Sequence, residues 1–179
     1  MLAEKHLEAA RAALRAREQA KRVGESAVQG HRDMLAYPPD SITDSAVVDI
    51  AISQEPDGHW GAGEKQLRPP IAQSHFAGTT RAIRMLQAYS IPARKAEFAE
   101  RIGRARAWLL KSKPVTTEDH AMKLSGLTFS GASKAEIEKA AQAVLALQRP
   151  DGGWSGNPYM TSDAYATSGA LRRWLNRRR

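Results

Sequence analysis

The chain has 179 residues, enough for one domain with a substantial core; 42% are hydrophobic, 26% charged and only 6% aromatic. It contains no cysteine, which excludes disulfides, thiolate metal sites and a cysteine nucleophile and leaves the compartment undecided. The formal net charge of +8 permits attraction to nucleic acid or a peripheral anionic membrane surface, but no nucleic-acid motif or Gly-rich phosphate loop is visible, so nucleic acid is not the expected partner.

Alanine mixed with Arg, Lys, Glu and Leu favours helix throughout, and no alternating run of β-branched residues competes, so the expected class is all-α. A first helix is predicted from about Leu2 to Val23, with Leu2, Leu7, Ala10 and Leu14 as its apolar stripe; Gly24 breaks it. A second helix runs to about Tyr37, stopped by Pro38 and Pro39. Residues 1–37 thus form an N-terminal hairpin of unassigned role, and residues 38–179 the rest of a single globular domain. The third helix covers "DSITDSAVVDIAISQ", capped by Asp40 or Ser41, with Ile42, Ala46, Val47, Ile50 and Ala51 on one face. A long loop from Glu55 to Pro70 follows.

The fourth helix is expected from about Ile71 to Tyr89, ending where "SIP" forbids continuation. A fifth runs from about Ala93 to Ser112, before Pro114. The sixth, "TTEDHAMKLSGLTFSG", is capped by Thr116 or Thr117 and closed by glycine. In the seventh, Ser133 and Glu136 have capping-box spacing. The eighth extends from about Ser162 to a tail, "LRRWLNRRR", in which five of nine residues are Arg; such cations suit the negative end of a helix dipole. Eight helices with short breaks read as four αα-hairpins. No run of about 18 apolar residues spans a membrane, and the N-terminus lacks the apolar core of a secretion signal. Cytoplasmic placement is therefore favoured.

Two stretches are nearly the same: "QEPDGHWG" from Gln54 and "QRPDGGWSG" from Gln148. In Pro-Asp-Gly, Pro presets φ, Asp bonds nearby backbone and Gly takes the positive φ. The turn aims the following Trp60 or Trp154, whose buried N–H needs a partner, while Gln54 and Gln148 stand where helix-end carbonyls await donors. Nothing in the loop supplies a nucleophile, and the reading is a structural clasp between units. The two copies lie 94 positions apart, about twice a helical-hairpin unit of roughly 45–50 residues. A degenerate copy, "ARAWLLKSKPVTTEDHA", lies between them. Aligning the units puts Ser74-His75-Phe76, Asp119-His120-Ala121 and Asp163-Ala164-Tyr165 in register, and "AGTTRAIRML" against "ATSGALRRWL" with one residue of slippage.

Gln-x-Pro-Asp-Gly-x-Trp after an apolar helix resembles the QW motif of squalene–hopene cyclases and related class II terpene cyclases, and "SDAYATSGAL" is similar to the inner-helix segment that follows it there. The resemblance covers roughly Tyr37 to Leu175. It implies αα-hairpin repeats forming a partial α/α toroid, in which outer and inner helices alternate and the motif clasps adjacent hairpins. Four hairpins fall short of the six or so of a closed toroid. The chain is then an open partial ring, or one that closes as a homo-oligomer or with a missing toroid segment.

The resemblance stops short of the chemistry. The Asp-x-Asp-Asp motif of class II cyclases is missing; the nearest analogue is "TTEDHA", where Glu118 and Asp119 are the candidate acids and Thr116 replaces the first Asp. An acid able to protonate an alkene needs a neighbour that stabilises the anion left behind, and Thr-Thr-Glu-Asp is also simply good helix capping, which is the favoured reading. Aromatic faces for carbocations are few. Toroid prenyltransferases use Asp, Cys and His ligands for zinc, and cysteine is absent; His75 and His120 with Asp119 or Asp163 are a bare metal-ligand combination, and no metal or cofactor is expected. Ligand-facing candidates are His75, Phe76, His120, Asp163 and Tyr165 at the inner-helix starts. The expected function is a binding or assembly module for an apolar, isoprenoid-like or extended ligand. The alternative is an enzyme using an inner-helix acid, either a terpene-cyclase-like isomerase or a polysaccharide lyase, since some lyases share this barrel and a Gln-x-x-x-Gly-Gly-Trp stretch.

Overall fold

A computed structural model describes residues 39–61 and 74–177. Within them the chain forms six α-helices and a 3₁₀ turn at Pro92–Arg94, with no strand: α1 Ser41–Ile52, α2 His75–Ala88, α3 Lys95–Lys111, α4 Thr117–Phe129, α5 Lys134–Leu145 and α6 Ala164–Asn176. The class is all-α, as expected. The two N-terminal helices and the hairpin at 1–37 lie outside the described residues. No helix among the described residues is long and apolar enough to cross a membrane.

Local chemistry sets most boundaries. Asp40 caps α1, its carboxylate accepting from the Ile42 and Thr43 amides at 3.0 and 2.8 Å while the Thr43 hydroxyl accepts from the Asp40 amide. Thr116 with Asp119 caps α4 and Ser133 with Glu136 caps α5, both as reciprocal capping boxes. The expected start of α2 near Ile71 is corrected to His75. Ser74 has extended backbone and its hydroxyl accepts from the Ala77 amide, so the helix cannot extend back through it. The 3₁₀ turn takes up the first residues expected for α3, because Pro92 has no amide hydrogen to continue a ladder.

Helices α2, α4 and α6 lie side by side with α4 in the middle. The other three pack against this row: α1 on α2, α3 on both α2 and α4, and α5 on both α4 and α6. The starts of the row share one end, since the Ser74 hydroxyl reaches the Asp119 carboxylate and the Tyr165 hydroxyl reaches Glu118. Near the other end the Gln87 amide donates to the Phe129 carbonyl at 2.7 Å. Between row and flanking helices lie the fully buried Ile83, Leu86, Phe98, Leu109, Leu124, Leu127 and Val144, each worth about 1.5–3 kcal/mol of burial. Close approach is needed at Gly126, where an added Cβ would meet Leu109 and the Thr80 hydroxyl at 2.7 Å. There the Thr80 hydroxyl crosses from α2 to donate to the Met122 carbonyl.

Candidate functional site

The two Pro-Asp-Gly loops are built alike. The Gln54 amide donates to the Gly58 carbonyl and the Gln148 amide to the Gly152 carbonyl, both at 2.8 Å. The Trp60 indole N–H donates to the Ile50 carbonyl and that of Trp154 to the Val144 carbonyl, each ten residues back. The Trp60 and Trp154 amides donate to the hydroxyls of Thr79 and Thr167 on the following row helix. Counted from their caps these threonines differ by one position, the slippage seen in the alignment. Gly58 and Gly152 have positive φ, as the turn requires. One difference separates them. Gln54 also donates to the Arg101 carbonyl of α3 at 2.9 Å and accepts from Arg104, tying its loop to the next hairpin. Gln148 bonds within its own loop.

The expected ligand-facing residues separate into three groups. Phe76 is corrected to a core residue: it is buried against Trp108, ring centres 4.9 Å apart, because the turn of α2 that carries it faces α3. His75 is exposed and meets the edge of His59, which stacks on Trp108 and pairs with Asp57. His120 is half-buried, and burial pushes its pKa down, with Asp119 opposing and Lys123 adding. Asp163 caps α6, accepting from the Ala166 and Gly156 amides at 2.7 and 3.1 Å. Among the described residues no three His, Asp or Glu side chains converge to hold a metal.

Asp119 and Glu118 are adjacent but differently placed. Asp119 accepts from the Val115 and Thr116 amides at 3.2 and 3.0 Å and from the Ser74 hydroxyl. Burial raises its pKa, but these donors outweigh burial and hold it below the ordinary aspartate value. A depressed carboxylate contributes stability above its unfolded pKa and loses it as the pH falls through the folded one. Asp119→Asn is therefore expected to cost about 1–2 kcal/mol at neutral pH. The gap to the parent should close as the pH falls through that lowered pKa, as followed by thermal unfolding across pH; a pH-independent gap would contradict the capping role.

Glu118 projects instead toward three side chains. The Tyr165 hydroxyl donates to it at 3.4 Å, and Arg173 on α6 and Arg81 on α2 both attract its charge. Burial nevertheless pushes its carboxyl up from the ordinary value. Both guanidiniums are themselves largely withdrawn from water. Arg173 donates to the Gly169 carbonyl at 3.0 Å and to the Met122 sulfur at 3.4 Å. The Nε of Arg81 is buried with no hydrogen-bond partner. Sequence reasoning named Glu118 and Tyr165 but missed both arginines. A signal existed: Arg81 lies four residues from buried Ala77 and Met85, and Arg173 three from buried Ala170, positions that helical periodicity turns inward.

Comparison with protein-family models, curated proteins and solved structures returns no match.

Proposed function

We propose that the chain is a helical-repeat module on the α/α-toroid plan of terpene-cyclase-like proteins, acting as a binding or assembly module for an extended ligand and not as a full cyclase. The matching indole, glutamine and threonine bonds of the two Pro-Asp-Gly loops and the alternation of row and flanking helices support the plan. The state of the two acids carries the rest. Asp119 spends its oxygens on the capping donors and the Ser74 hydroxyl, which favour its ionised form, and Glu118 stands among two guanidiniums and a phenol. Such surroundings suit a polar or extended ligand better than a hydrocarbon. The site is the face formed by Arg81, Glu118, Tyr165 and Arg173.

An enzyme reading, cyclase-like isomerase or polysaccharide lyase, has one observation in its favour: the raised Glu118 carboxyl beside the Tyr165 hydroxyl suits proton transfer. Incubation with squalene separates the two. The parent is expected to give no more cyclised product than a Glu118→Gln/Asp119→Asn double variant, by mass spectrometry. Product made by the parent and lost in the variant would replace the binding reading with catalysis.

A further inference from the structure

We propose that Arg81 and Arg173 form a recognition site for the carboxylate of a hydroxylated, singly charged ligand such as a sugar acid, held across α2, α4 and α6 with Glu118 and Tyr165 binding its hydroxyls. This rests on the site reading above and names the ligand class for it. The first ground is an unpaired donor. A buried N–H without a partner is costly, and the Nε of Arg81 is such a group. The second is that the charges attract without touching: among the described residues neither guanidinium closes an ion pair with Glu118. Arg173 is steadied by the Gly169 carbonyl and by a sulfur, a weak acceptor, so its strong donors are not used up.

Charge selects among anions. Two guanidiniums and one carboxylate leave a single positive charge. One carboxylate neutralises it, whereas a diphosphate would bring excess negative charge against Glu118. The planar fork of arginine matches the two oxygens of a carboxylate. Glu118 accepts hydrogen bonds from hydroxyls, and the Tyr165 ring, 47% exposed, offers a face for a sugar ring. A hydrocarbon would leave both guanidiniums desolvated and unpaired.

The test is titration of the full chain with galacturonate, trigalacturonate, neutral galactotriose, farnesol and inorganic pyrophosphate, read by calorimetry and by NMR shifts of the Arg81, Glu118 and Tyr165 amides. Trigalacturonate is expected to bind and to shift all three amides. Galactotriose, farnesol and pyrophosphate should bind at least tenfold more weakly. Binding of the monomer comparable to that of the trimer would identify a free sugar acid, and preference for the trimer a polymer. Arg81→Gln and Arg173→Gln should each weaken trigalacturonate at least tenfold. Arg81→Lys keeps the charge and the helix packing and should still lose several-fold, because the fork is gone; its melting temperature should match the parent. Equal binding by Arg81→Lys and Arg81→Gln to the parent, or equal binding of galactotriose or pyrophosphate, overturns the proposal. If another probe shifts these amides and the sugar acids do not, only the ligand class fails. If no probe shifts them, the site reading fails with it.

Discussion

Trp154→Ala is expected to lower stability by about 3–5 kcal/mol, a fall in melting temperature of roughly 10 °C for a chain of this size. The indole is 2% exposed and belongs to the main core, so its removal leaves a cavity between α5 and α6. Its N–H is the donor to the Val144 carbonyl at 2.8 Å, and that carbonyl would keep only its bond from the Leu147 amide at 3.2 Å. Trp154→Phe keeps much of the ring but not the donor, and should cost about 1–3 kcal/mol. Thermal and urea unfolding measure both. An unchanged melting temperature in the alanine variant would refute the structural reading of the loop.

The second large effect is expected at Gly58, and Gly152 provides its internal control. Both have positive φ, +101° and +80°, which costs an alanine about 1–2 kcal/mol. At Gly152 an added Cβ meets nothing within 4 Å, whereas at Gly58 it would lie 2.7 Å from the Arg104 carbonyl oxygen. The loop would have to withdraw from α3, breaking the bond from the Gln54 amide to the Arg101 carbonyl. Gly58→Ala should therefore cost roughly 3 kcal/mol in all, and Gly152→Ala only the conformational part. The difference in urea midpoint isolates the tie to α3. Equal costs would show that this tie holds nothing.

These contrasts show where the sequence is legible. Asp40, Thr116 and Ser133 could be read as caps because each cap is decided within four residues, by a side chain meeting its own backbone. The Pro-Asp-Gly turns are equally local, and the donor role of both indoles followed from burial alone. Ser74 was missed because its hydroxyl is shared between the Ala77 amide and the Asp119 carboxylate of another helix. Phe76 was assigned to a ligand because it stands at a helix start; only the position of Trp108 on α3 turns it into core.

By itself, then, the sequence determined the all-helical class of the described residues, most of their helix boundaries and two matching turns, since propensity, capping and turn chemistry act over a few residues. The tertiary structure decided which polar groups are consumed and which are left to act. "TTEDHA" reads as a cap from its own residues, but only the approach of α2 shows that Asp119 also accepts from the Ser74 hydroxyl. Arg81 and Arg173, 92 positions apart, come into the field of Glu118 only because α2 and α6 flank α4. Electrostatic roles depend on distance and burial, and both are set by packing between helices remote in the chain.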